Sequence, residues 1–280
     1  MIESGDAPQG LLHVLNQGHP LWRFSDSGVH QKCFERWEHR AYFEAIHAKW
    51  QAMQLTKRLT GEVWRDLTPP EREDALKDAD AWGRRAQLEM RSFVAALDVE
   101  HFGILARAGG LWIRLMRDDE TDYALMSAWL SDPRVLEFFD GRDNPLSIRD
   151  ARQKYSPRIM GEENTTPCII ENDGDAIGYV QFYPKDVQDV WGLDQFIGIP
   201  DKWSQGLGTR IVRLMLDYLF TNKHASRCVL DPQVLNLRAI RCYEKAGFQK
   251  ARLLRRHELH EGELRDCWLM EAIRPQEADT

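Results

Sequence analysis

The stretch DQFIGIPDKWSQGLGTRIVRLML (194–216) decides the fold. GLDQFIGIP reads as a strand, DKWSQGLGT as a turn, and RIVRLMLDYLF as a helix. In that helix Ile211, Val212, Leu214, Met215, Leu219 and Phe220 give one apolar face. Two glycines at a strand-to-helix junction let backbone N–H groups converge on one point, and the helix N-terminus adds partial positive charge there. That geometry suits a pyrophosphate, although a plain turn would use the same residues. Neither a Gly-Lys-Ser/Thr loop nor a third glycine at dinucleotide spacing is present.

Outward from this junction, strand-like runs alternate with helical ones. The strand signals are LWIRLMR (111–117), TPCIIEND (166–173), AIGYVQFY (176–183), VWGLDQFIG (190–198), RCVLD (227–231) and DCWLMEAI (266–273). Helical segments are expected near 120–130, 147–155, 207–221 and 236–246. Asn172-Asp173-Gly174-Asp175 separates two strand signals and predicts a hairpin. This order predicts an α/β fold with a mixed sheet.

Before Gly109-Gly110 the texture is helical. Phe34, Trp37, Ala41, Ile46, Trp50 and Met53 recur at spacings of three to five. Thr68-Pro69-Pro70-Glu71 combines an N-cap, prolines in the first turn and a capping-box glutamate. Asp98 is expected to cap a further short helix ending at Gly109-Gly110. The chain is therefore divided into a small all-helical N-terminal domain, 1–110, and an α/β domain, 111–280.

Composition narrows the function. The chain has 280 residues, 43% hydrophobic and 29% charged, as ordinary globular proteins do. No apolar run reaches the roughly 20 residues that span a bilayer, and residues 1–6 lack the flank and core of a signal peptide. A cytoplasmic protein without a membrane partner is expected. Five scattered cysteines without a Cys-x-x-Cys pair imply free thiols. A net charge of −7 argues against nucleic acid and mildly favours a cationic substrate.

About twenty residues beyond the glycine turn comes DPQVLNLRAIRCYEKAGF (231–248). Asn236 can cap a helix there, with Ala239, Ile240 and Tyr243 on one face and Gly247 at its end. Together these segments resemble the GNAT acetyltransferase superfamily. With RVLEFFDGRD (134–143), GLDQFIG (192–198) and HELHEG (257–262), the region 111–273 is similar to the aminoglycoside 6′-N-acetyltransferases. The resemblance implies a mostly antiparallel mixed sheet flanked by helices, acetyl-CoA as cosubstrate, and direct attack by an aminoglycoside amine without an acyl-enzyme. It also implies antibiotic resistance as the consequence. Another GNAT acting on a siderophore precursor or a polyamine shares the same strand and helix motifs, and a non-catalytic sensor could be built on the same fold.

The resemblance also assigns residues. Asp194 matches the acid that accepts or relays the amine proton, or that only binds the cation. Tyr243 matches a tyrosine facing the departing thiolate, although a packed helix aromatic reads the same way. Gln205, Gly206, Leu207, Gly208 and Thr209 match the pyrophosphate loop, and Asn236 a pantetheine contact. Asp231 matches an acceptor-binding acid, while Phe139 and Tyr155 match ring-packing aromatics. Trp203 stands where the family often has Gln or Arg. The segment between Tyr183 and Asp194 is shorter than the family's acidic flap, which leaves Asp186, Asp189 and Trp191 unassigned. Cys242 and Cys228 read as packed thiols rather than nucleophiles. His257 and His260 read as part of a hairpin, and no metal is expected.

In the N-terminal region, AIHAKWQAM (45–53) and WRDLTPPEREDALKDADAWGRRA (64–86) faintly resemble a ryanodine-receptor-type repeat domain. That resemblance implies a small-ligand or regulatory module. A helical appendage for stability, or for a homodimer, is the competing expectation.

Overall fold

The computed structural model describes residues 39–61, 86, 89–90 and 92–275. The expected helix start at Thr68, Cys33 and most of the repeat-like segment lie outside the described residues. The chain divides into two compact units, Met1–Ile104 and Leu105–Thr280.

In the first unit, α1 (Arg40–Gly61) packs with a second helical run, 92–102. Tyr42, Phe43 and Ile46 meet Met90 and Val94, and the Tyr42 hydroxyl donates to Asp98 at 2.6 Å. Ala41, expected in the stripe, is exposed. The helix expected to run to Gly109-Gly110 stops early, because Ile104–Ala108 forms a strand, β1. Gly109, at φ 61°, makes the two-residue turn into β2 (Leu111–Leu115). A Gly-Gly pair fits both a helix stop and a hairpin turn, and the partner strand selects the second.

The second unit is built on an eight-stranded sheet in the order β1-β2-β3-β4-β5-β6-β8-β7. The remaining strands are β3 (Thr166–Asn172), β4 (Asp175–Pro184), β5 (Val190–Ile197), β6 (Arg227–Leu230), β7 (Gln249–His260) and β8 (Glu263–Ile273). Only β5 and β6 run parallel among the described pairings. The expected hairpin is present: Asn172 pairs with Asp175, and Asp173 and Gly174 have φ 54° and 90°.

Helices cover both faces, as alternation along the strands requires. On one side lie α5 (Leu207–Asn222) and α6 (Leu237–Ala246), packed on Cys168, Ile170, Val180, Phe182 and Leu193. In α5 Leu207 and Leu216 are buried with Ile211, Val212, Met215 and Leu219, whereas Leu214 and Phe220 are only partly covered. On the other side α2 (Glu120–Trp129), α3 (Pro133–Leu136) and α4 (Ile148–Ile159) cover Ile169, Tyr179 and Phe196. Asp119 caps α2, and a Ser147–Asp150 capping box opens α4.

One irregularity positions the site. β5 spans eight residues but shares only Val190–Arg227, Trp191–Cys228 and Gly192–Val229 with β6. Beyond Gly192 it stays paired with β4 while β6 ends at Leu230 before Pro232. The two strands therefore part, and a gap opens through the sheet.

Candidate active site

The gap belongs to a cavity of about 800 Å³ lined from both faces of the sheet. Asp194 and Phe139 line it from the α4 side, Tyr243 and Cys242 from α6, and Asp231 and His257 from the far edge.

Asp194 lies just past the point where β5 leaves β6. It sits opposite Gln181 on β4, whose Nε2 donates to Asp194 Oδ2 at 2.8 Å. The orientation of that amide is fixed by its other end. Gln181 Oε1 accepts from the Tyr179 hydroxyl at 2.8 Å and from Arg158 at 2.9 Å, which leaves the nitrogen for the carboxylate. Burial pushes the Asp194 carboxyl above the usual range, the Gln181 hydrogen bond opposes this, and the negative charge of Asp231 adds to it.

Tyr243 reaches the same cavity from the opposite face and is buried to 7% exposure. Burial first, then Cys242, Asp194 and Asp231, raises its phenol well above the ordinary value. The group is thus held as a protonated donor. Cys242 is raised too, by burial, and accepts a weak contact from Thr209 at 3.7 Å, so it packs as a thiol.

The glycine turn ends in an uncapped helix. Gly206, at φ 79°, precedes α5, and no side chain caps the first amides of that helix. The first helix-type bond beyond it is Arg210 N–H to Gly206 O at 3.2 Å. The N–H groups of Leu207, Gly208 and Thr209 thus remain free for an anion. A Cβ on Gly206 would meet nothing within 4 Å, so the open space lies over the turn. At Gly208 it would approach Cys242 Sγ to 3.0 Å, which packs α5 against α6. A pyrophosphate group fits this cradle of unpaired amides.

The other expected residues are placed as follows. Gly206, Gly208, Thr209 and Asn236 line the cavity. Gln205 is exposed and turns its side chain to the Asp201 carbonyl at 2.8 Å, and the Leu207 side chain lies in the core. Only the backbone of these two residues is available to a ligand in this arrangement. Asn236 Oδ1 caps α6 by accepting from Ala239 N–H at 3.1 Å. Phe139 packs edge-on against Phe196 at 4.7 Å. Tyr155 departs from the expectation of an acceptor contact. It is fully buried against Tyr179, ring centroids 5.3 Å apart, and forms the wall behind the site rather than its surface.

Two residues, Gln181 and Arg238, escaped the sequence reading, and a third, His257, was read only as part of a hairpin. Gln181 is visible only through its register with Asp194. Arg238 stacks on Trp203 at 3.7 Å and brings a cation to the turn, which Trp203 itself does not carry. His257 bonds Asp231 Oδ2 at 2.9 Å, while His260 is buried and bonds the Glu137 carbonyl at 2.9 Å. The two histidines thus have separate partners. The four described cysteines are free. Among the described residues, no helix is long and apolar enough to cross a membrane.

Residues 118–255 match the family model of the acetyltransferase (GNAT) domain. Aminoglycoside N(6′)-acetyltransferase type 1 from Klebsiella pneumoniae is 31% identical over 175 residues, 58% of this chain and 86% of the relative. The same enzyme from Serratia marcescens gives the same identity and coverage. The solved structure of AAC(6′)-Ib in complex with ribostamycin and coenzyme A superposes with a TM-score of 0.51 at 30% identity, covering 61% of this chain and 99% of that one. Spermidine N-acetyltransferase from Vibrio cholerae, solved with CoA and spermine, superposes at 0.51 with 18% identity, covering 58% and 95%, and so shares the fold.

Proposed function

The chain belongs to the GNAT acetyltransferases and is an acetyl-CoA-dependent N-acetyltransferase, and from that premise we propose that its acceptor is the 6′-amine of an aminoglycoside. The observation that carries this reading is the acidic acceptor end: Asp194 and Asp231 share one cavity with the aromatic face of Phe139. Carboxylates suit ammonium groups and aromatic faces suit sugar rings. The similarity to aminoglycoside 6′-acetyltransferases extends over 175 residues and 86% of the relative, which supports the same acceptor class.

Acetyl-CoA supplies the activated acyl group. The chain's own part is positioning and proton transfer. Amides of residues 207–209 hold the pyrophosphate, and Arg238, stacked on Trp203, brings a cation to the same turn. Asp231 holds a cationic group of the acceptor. Asp194 takes the amine proton at Oδ1 while Gln181 holds Oδ2. Its raised pKa brings a carboxylate closer to the pH at which a base works best. Tyr243 donates from its hydroxyl to the leaving sulfur.

The direct test is CoA release with kanamycin, tobramycin and ribostamycin, with spermidine as the rival acceptor. Turnover of the 6′-amino drugs with mass-spectrometric location of the acetyl group at N6′ is expected. Turnover of spermidine alone would overturn the reading. Gly206→Val addresses the cofactor half. A β-branched residue at φ 79° is strained and its side chain would enter the open space above the turn. The acetyl-CoA KM should rise several-fold while the acceptor KM stays put. An unchanged acetyl-CoA KM would remove the turn from the cofactor site.

A further inference from the structure

The β7–β8 ladder breaks beside the cavity. Leu254 pairs with Cys267 and Glu258 with Arg265, so Arg255, Arg256 and His257 stand opposite the single residue Asp266. This is a bulge, a device that re-aims a side chain and occurs often beside active sites. Arg256 takes the left-handed conformation at φ 49°, which a residue with a Cβ rarely adopts. Its N–H donates to Asp266 Oδ1 at 2.7 Å, which locks the distortion.

Asp231 is tied to the same short piece of β8 from the other side. Trp268 N–H bonds the Pro232 carbonyl and Val234 N–H the Asp266 carbonyl, each at 2.9 Å. Gln233 forms a bridge with Cys267. Both members of the His257–Asp231 pair are thus anchored to 266–268, and both line the cavity. The bulge is a strained feature whose visible product is this contact.

Resting on the aminoglycoside reading, we propose that His257 is a positioning residue for acceptor capture: it holds Asp231 Oδ2 and leaves Oδ1 for an acceptor ammonium. Close to Asp231, Cys267 on β8 contacts Glu258 on β7 and lies in the field of Asp266. Asp194 and Tyr183 are reached through the field of Asp231. Cys267 stays a neutral thiol, pushed up to about 12 by burial and by Glu258, Asp231 and Asp266.

Glutamine keeps a hydrogen bond to Asp231, whereas asparagine is too short to reach it.

Kanamycin affinity is measured by calorimetry, and its KM by CoA release, for the full chain, His257→Gln and His257→Asn. The asparagine variant should lose about fivefold in affinity, the size suited to a half-exposed pair. The effect lies in KM rather than in kcat, and the glutamine variant should recover most of it. An asparagine variant that binds as the wild type does, a loss confined to kcat, or a glutamine variant no better than the asparagine one overturns the proposal. If wild-type protein binds no kanamycin, the aminoglycoside reading itself fails, whereas binding that neither variant alters removes only the role of His257.

Discussion

Asp194→Asn is expected to lower kcat by about 10²–10⁴-fold, the range of a positioned base, while acceptor KM changes little. That split separates proton removal from simple cation binding, because a residue that only binds would move KM instead. The amide keeps the shape of the side chain and its place opposite Gln181. Thermal stability should not fall with activity. The folded state raises the pKa of Asp194, chiefly by burial, so at neutral pH the ionised carboxylate opposes folding. Removing the charge relieves that cost above the raised pKa, and the advantage fades as the pH drops and the wild-type carboxyl protonates. A site residue that lowers stability while serving function is a common trade-off. In the wild type, kcat at saturating acceptor should fall as the pH drops through a value above the ordinary carboxylate range. In Asp231→Asn that limb should move to lower pH, since a neighbouring negative charge is gone. A kcat within twofold of wild type in Asp194→Asn would end the assignment of this residue as the base.

Arg114→Met is expected to destabilise the second unit by about 3–5 kcal/mol. Arg114 on β2 is 8% exposed and Asp122 on α2 is 0% exposed. Their contact is bidentate, at 2.6 and 2.8 Å, and Arg114 Nε also donates to Glu171 on β3 at 2.7 Å. Methionine preserves much of the volume but strands Asp122 in an apolar interface. Its remaining contacts are the Arg117 N–H at 2.8 Å and the Arg117 guanidinium at 3.2 Å. The acid limit of stability should move as well. Burial pushes Asp122 up, but Arg114 and Arg117 more than offset this and hold it below the usual range. That pairing contributes stability at neutral pH, which is lost as the pH falls through the depressed value. Without Arg114 the loss begins at higher pH. Thermal melts should drop by about 10 °C, and replacing both partners by apolar residues should recover part of it. A melt shifted by less than about 2 °C in Arg114→Met would show that the pair is not a clamp. The consequence would reach the site. α2 also carries Trp129, which packs edge-on against Phe196, the same ring that supports Phe139.

The legible features were those that repeat over a short range of chain. The α5 face and the α6 cap at Asn236 follow from local chemistry, and so does the Asp173-Gly174 turn. Asp194 and Tyr243 were singled out by the family resemblance of motifs that lie on single elements. Gly109-Gly110 shows the boundary of this legibility. Its conformational freedom fits a helix stop or a hairpin, and only pairing with a distant strand chooses. Tyr155 shows another limit. A tyrosine at the expected spacing can face a ligand or stand one layer behind it, and burial against Tyr179 put it behind.

The sequence by itself determined the helices α5 and α6, the β3–β4 hairpin and the glycine turn before α5. Those properties reside in hydrophobic period, backbone freedom and side-chain chemistry, which are local. Only the tertiary structure decided that β5 leaves β6 after Gly192, that Gln181 orients Asp194, and that a bulge in β7 delivers His257 to Asp231. Register and strand divergence arise from contacts between residues far apart in the chain, where a shift of one position turns every side chain to the other face.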